Sequence, residues 1–319
     1  MRFAELAVVT AAVAATVVTP QVAGATPPAH NYPVASTGCQ LTSTTLTPGV
    51  TAPGSVQSGG LTREYLIHLP TTYQPGHQKP LILAFHGRKS DSAEIEAYSK
   101  IDDLDAIAVY PRGLPDQDNE RAWQGPLYAA PFDDVQFVAD LLDHLQQTLC
   151  VQPDRIFAAG KSNGGGFVAL LACRLPLRIA AFGIVAGAFY PGTRSDCVEQ
   201  RAPIVEFHGD DDQVIKYNGD DDNHHEVLPS IADWTQTWAT RNLCSSTIVS
   251  TPLSSEVVRI TRDLCPQNRD IVHYKIITGA HTWPGAAPGS SGNGKVTAQI
   301  KATDTFWEFF NDHPLVTGP

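Results

Sequence analysis

Hydrophobic and polar positions along this chain fall into two alternating periods. The segments REYLIHLP (63–70), PLILAFHG (80–87) and AIAVYP (106–111) are short, apolar and rich in β-branched or aromatic residues, and read as strands. RIFAAG (155–160), AFGIVAGA (181–188), PIVEFHG (203–209) and HYKIITG (273–279) repeat that pattern. Between them the spacing turns helical. Val135, Val138, Leu142, Leu145 and Leu149 recur at steps of three and four, which predicts an amphipathic helix over 133–149 with Asp133 and Asp134 as its cap. FVALLACRL, the segment holding Trp234 and Trp238, and ATDTFWEFF (302–310) read as further helices. Strands alternating with helices imply an α/β fold, a mainly parallel sheet with helices on both faces. A single α/β domain is expected over 26–319. Residues 26–38 form an extended lead-in, and GSSGNGK (289–295) is a loop.

Composition narrows the function. Hydrophobic residues make up 42% and charged residues 17%, which excludes a disordered chain, a collagen-like repeat and a coiled coil. Asp and Glu outnumber Lys and Arg by 33 to 22, for a formal charge of −11. Such a surface repels polyanions, so nucleic acid is not an expected partner.

The first residues carry an apolar run, LAVVTAAVAATVV (6–18), after Arg2 and before Ala23-Gly24-Ala25. This reads as a signal peptide over 1–25, cleaved after Ala25. The run is too short to span a bilayer comfortably, so a secreted, extracellular protein with no membrane partner is expected. Six cysteines follow, and an even count in a secreted chain predicts three disulfides and no free thiol. Six cysteines allow 15 pairings; Cys244 and Cys265, flanking a short strand region, are the most credible pair. No CxxC spacing occurs, and neither metal nor cofactor is expected.

The chemistry concentrates at strand ends. Gly160-Lys161-Ser162-Asn163-Gly164 matches G-x-S-x-G between a predicted strand and a predicted helix. A serine on that strained turn has room only for small residues two positions away, and its hydroxyl stands above the sheet edge. The backbone N–H of Asn163, at the helix N-terminus, can stabilise an oxyanion. A serine nucleophile needs a histidine base oriented by a carboxylate, in the chain order Ser, acid, His. Asp212 is chosen as the acid from Asp210-Asp211-Asp212, with Asp210 and Asp211 as alternatives. His281, after the last predicted strand, is the base. The second oxyanion donor is expected near Arg88, in His86-Gly87-Arg88. Trp123 and Trp283 are candidate walls of the substrate-binding pocket, with core packing weighed equally. The tract 220–226, DDDNHHE, reads as an exposed acidic loop, since contiguous charges cannot all converge on one ion.

HG after an early strand, WQGP, DDVQF, GKSNGGGF, FHGDDD and HTWPG together resemble secreted fungal feruloyl esterases. Their carbohydrate esterase family includes acetylxylan esterases and is related to polyhydroxybutyrate-depolymerase-like esterases. The resemblance spans about residues 60–312. It implies the α/β-hydrolase fold, metal-independent chemistry and release of ferulate from plant cell-wall polysaccharide, feruloylated arabinoxylan or pectin. It carries the family's catalytic serine, aspartate and histidine onto Ser162, Asp212 and His281. An acetylxylan esterase or polyester depolymerase on the same scaffold is the alternative. No obligate protein partner is implied.

Overall fold

A computed structural model describes residues 31–194, 197, 202–262 and 264–316. In chain order the elements are β1 (Thr51–Ser58), β2 (Leu61–His68), β3 (Lys79–Phe85), α1 (Ser92–Ser99) and β4 (Ile107–Pro111). Two short strands follow, β5 (Leu114–Pro115) and β6 (Arg121–Ala122), then α2 (Asp134–Thr148), β7 (Val151–Lys161), α3 (Asn163–Arg174), β8 (Ala181–Val185) and β9 (Ile204–Gly209). The rest comprises β10 (Asp220–Asn223), β11 (Glu226–Leu228), α4 (Ile231–Arg241), β12 (Ile248–Pro252), β13 (Val257–Arg262), β14 (Ile271–Ile276) and α5 (Ala302–Asp312). The signal peptide expected over 1–25 lies outside the described residues.

The main sheet has ten strands in the order β1-β2-β4-β3-β7-β8-β9-β14-β13-β12. Its six central strands, β4 to β14, pair in parallel; the two strands at each end are antiparallel. Both faces are buried. Along β3, Leu81, Leu83 and Phe85 enter one core while Ile82 and Ala84 enter the other, the period-two alternation of a strand. The first core takes the apolar faces of α2, α3 and α4; the second takes α1 and α5. This is the doubly wound arrangement of an α/β hydrolase. The chain leaves β3 towards β4 on one side and later returns as β7 on the other. Ligands in open α/β sheets bind at the carboxyl ends of strands at such a reversal, and Phe85 of β3 pairs with Gly160 of β7 there.

The helix expected over 133–149 forms with Asp133 alone as N-cap, accepting from the Gln136 N–H. Asp134 is not a cap. It is buried and takes Arg63 Nη2 at 2.7 Å and the Gln124 N–H at 2.8 Å, so its charge ties α2 to β2 and to the loop after β6. The acidic tract is a hairpin, not a loop. His224 and His225 both adopt positive φ, at 53° and 65°, which supplies the twist that a two-residue hairpin needs.

All six cysteines are paired: Cys39–Cys150, Cys173–Cys197 and Cys244–Cys265. The first pins the short 3-10 turn Thr37–Gln40, at the end of the expected extended lead-in, to the junction of α2 and β7. Among the described residues no helix is long and apolar enough to cross a membrane.

Candidate active site

Strand β7 ends at Lys161 and α3 begins at Asn163, so Ser162 alone makes the turn. Its backbone sits at φ 58°, ψ −123°, a region that costs an L-residue on the order of 1–3 kcal/mol. Three hydrogen bonds enforce it: the Ser162 N–H donates to Val185 O, and Ser162 O accepts from the Gly166 and Ala188 N–H groups. The glycines are required by space. A Cβ on Gly164 would lie 2.2 Å from Phe85 O, and one on Gly160 would lie 2.7 Å from Gly164 O. Helix α3 can therefore close onto the ends of β3 and β7, with its N-terminus at the serine.

Beside the serine runs the turn after β3. A Cβ on Gly87 would sit 3.2 Å from Ser162 Cβ, so the Gly87–Arg88 peptide borders Ser162. His86 fixes that peptide. Its Nε2 accepts from the Gly113 N–H at 3.0 Å, which leaves the proton on Nδ1 to donate to Gly87 O at 2.7 Å. Burial lowers its pKa to about 4, so the ring is neutral. With Gly87 O held by His86, the Arg88 N–H across the same trans peptide points the other way. The Arg88 guanidinium is occupied elsewhere, on Asp116 and Asp118 and over the Tyr128 ring. The Asn163 side chain is likewise occupied, bridging both backbone groups of Trp123. Neither side chain is therefore free to act in the cleft.

The three consecutive aspartates take different places. Asp212 is buried; its Oδ1 accepts from the Val214 and Ile215 N–H groups, and its Oδ2 accepts from His281 Nδ1 at 2.7 Å. Burial raises its pKa, but the imidazoles of His208 and His281 outweigh this and hold the carboxyl far below the usual range. Asp210 instead accepts from the Thr278 N–H and pairs with Lys275 at 3.1 Å, and Asp211 accepts from the Gln213 amide. His281 is lowered to about 4, by burial first and by the charge of Lys161 second, against the pull of Asp212. It is therefore neutral at ordinary pH, with its Nδ1–H on Asp212 and a lone pair on Nε2. Burial also lowers Lys161, to about 8.

Ser162 and His281 line one cleft of about 580 Å³, with Gly87, Arg88 and Lys161. Its other walls come from Tyr128 and Tyr190, in T-shaped contact at 5.7 Å, and from Val214, Ile215 and His224. Trp123 and Trp283 are not among its walls. Trp123 is fully buried, stacked on Phe167 and donating from Nε1 to His86 O; it supports the β3 turn from beneath. Trp283 is 1% exposed, packs on Tyr98 and Phe306, and donates from Nε1 to Thr303. Both belong to the core because each indole N–H finds its partner there. Sequence reasoning missed the two tyrosines. The available signal was Tyr190, shortly after β8 and so at the carboxyl edge beside the elbow.

No family model matches the chain. It is 27% identical over 261 residues to feruloyl esterase C of Emericella nidulans, covering 78% of this chain and 83% of that protein. It is 29% identical over 167 residues to feruloyl esterase B of Piromyces equi, covering 49% of this chain but only 30% of that relative. Among solved structures, the acetyl xylan esterase from Aspergillus awamori superposes with a TM-score of 0.54 at 12% identity, covering 82% of this chain and 99% of the other. A mainly parallel sheet of α/β-hydrolase type and likeness to several feruloyl esterases across most of its length make this chain an esterase similar to the feruloyl esterases.

Proposed function

We propose that Ser162, His281 and Asp212 are the catalytic triad of this esterase, and that it releases ferulate from feruloylated plant cell-wall polysaccharide, arabinoxylan or pectin, outside the cell. The observation that carries the reading is one cleft lined by both a serine on a strained strand-to-helix turn and a neutral histidine bonded through Nδ1 to a buried carboxylate. Ser162 Oγ attacks the ester carbonyl while His281 Nε2 takes its proton. The oxyanion that forms accepts from the Asn163 and Arg88 main-chain N–H groups, already oriented by α3 and by His86. His281 then protonates the leaving sugar alcohol. In the second half it draws a proton from water, which attacks the acyl-serine.

The walls favour a planar aromatic acyl group over acetyl. Tyr128, half-buried in the wall and backed edge-on by the buried Tyr190, can meet a hydroxycinnamoyl ring, worth about 0.5–1.5 kcal/mol beyond burial, and an acetyl group gains none of that. The test is kcat/KM on methyl ferulate and on acetylated xylan. Ser162→Ala should abolish both activities. Tyr128→Ala should lower the ferulate-to-acetyl ratio about three- to tenfold, whereas Trp283→Ala should lower both activities alike. Wild-type preference for acetyl esters would reject the feruloyl reading and favour the acetylxylan esterase alternative.

A further inference from the structure

Behind Asp212 lies a buried row of polar side chains that the chemistry above does not use. His208, at the end of β9, is 1% exposed. Its Nδ1 lies 3.0 Å from Glu206 Oε1, and its Nε2 lies 2.8 Å from Ile215 O and 3.4 Å from Asp212 Oδ2. A carbonyl oxygen and an ionised carboxylate can only accept. Both ring nitrogens must then carry protons, and such a ring is an imidazolium. Glu206 is fully buried, and its other oxygen takes His273 Nδ1 at 2.5 Å. His273 Nε2 meets the Tyr217 hydroxyl at 2.8 Å, and that contact closes the row.

We propose that His208 is a positioning residue of the esterase reaction, a ring kept doubly protonated between Glu206 and Asp212 that braces the triad carboxylate from behind and offsets its charge. The inference rests on the triad reading of Ser162, Asp212 and His281. Burial by itself would strip the second proton from His208, but its hydrogen bonds to Asp212 and Glu206 outweigh this and raise its pKa to about 10. Burial pushes Glu206 up, and the two histidines more than reverse it. Asp212 therefore faces one imidazole in front and one behind. An unbalanced buried carboxylate would draw a proton onto His281 in the resting enzyme. With a cation behind Asp212, His281 keeps its Nε2 lone pair to lower pH, ready for the serine proton.

The other charged groups around the row are few. Lys161 stands at the end of β7 in the cleft wall, Asp210 pairs with Lys275 of β14, Asp211 is in the exposed loop, and Lys295 pairs with Glu256 at 2.9 Å. None of them occupies the place between Glu206 and Asp212.

Two variants and one spectrum test the proposal. In His208→Gln the acid limb of kcat/KM on methyl ferulate should move to higher pH by about one unit, since a nearby positive charge is lost. In Glu206→Gln, which removes a negative charge, the limb should move the opposite way. A side chain that serves packing alone would lower activity at every pH and leave the limb in place. An unmoved limb in folded His208→Gln protein would overturn the proposal. Should either variant fail to fold, the double variant removes both buried charges together, and its limb should still move upward because the lost cation is the nearer one. Nitrogen NMR of the intact wild-type protein reads the ring directly. Both His208 nitrogens should be protonated at mildly alkaline pH, where an ordinary imidazole is neutral; one bare nitrogen would overturn the proposal. Full activity in Ser162→Ala would instead sink the triad reading and leave the spectrum's result standing by itself.

Discussion

Replacing Asp212 by asparagine exchanges one heavy atom and should remove nearly all activity. Asp212 Oδ1 accepts two backbone N–H groups and Oδ2 accepts from His281 Nδ1. An amide has one oxygen for these three donors. If that oxygen stays on Val214 and Ile215, the amide N–H2 faces His281 and Nδ1 must turn acceptor. The ring proton then moves to Nε2, and the lone pair meant for the serine is gone. Inversion of the tautomer in a Ser-His-Asp enzyme costs about 10⁴ in kcat, roughly 5.5 kcal/mol of barrier. Asp210→Asn is the control. It weakens a partly exposed pair with Lys275 and one backbone bond, worth on the order of 1 kcal/mol of stability, and leaves His281 untouched. The assay is kcat/KM on methyl ferulate near neutral pH, with a thermal melt to show that each protein is folded. Asp212→Asn within tenfold of wild type, or Asp210→Asn falling as far, would refute the assignment of the acid.

Four further outcomes follow from the geometry. The acid limb of kcat/KM should bend near pH 4, because His281 is lowered to about 4 and becomes useless once protonated; a bend at 6.5 would mean the base is not shielded as described. The same ring, lowered when folded, stabilises the protein fully above pH 6.5 and loses that contribution as pH falls through 4, whereas His208, raised when folded, stabilises fully below 6.5 and loses its share as pH rises through 10; denaturant titrations across pH should show both flanks. Cys39→Ser with Cys150→Ser opens a cross-link of sequence separation 111 and should cost about 4–5 kcal/mol in chain entropy, read as a lower denaturant midpoint with little change in kcat. Gly164→Ala would press a Cβ against Phe85 O and His86 O at 2.2 and 2.4 Å; it should cost about 1–3 kcal/mol and also lower kcat, since α3 must shift off the elbow.

Most of the scaffold was legible because buried parallel strands leave an apolar signature on both faces. β1 was not. Pro53 and Gly54 break its pattern, which an edge strand tolerates because half its N–H groups need no partner. β12 and β13 were read only as one short strand region between Cys244 and Cys265. All five residues of β12 are exposed, so burial leaves no mark on them. The β10–β11 hairpin carries histidines at its turn where Asn-Gly would have announced it. At the site, Ser162 and the last-strand histidine stand out from local chemistry. The choice among Asp210, Asp211 and Asp212 does not, since it depends on which carboxylate the β14 loop and the Val214–Ile215 turn enclose. The tryptophans misled because residue type reveals size and polarity but not direction. Trp283 lies two residues after His281 yet turns its ring to the core.

The bond between Cys39 and Cys150 has a practical consequence. Cys150 directly precedes β7 and Ser162 directly follows it; a bulge shortens the strand, which runs beside Lys79–Phe85 of β3, so the two lie roughly 25 Å apart. The leading segment is therefore clamped at the edge of the sheet opposite the cleft. A tag, a carrier domain or a solid support joined through residues ahead of Cys39 would hold the protein by its far side, with the cleft turned outward to an insoluble polymer.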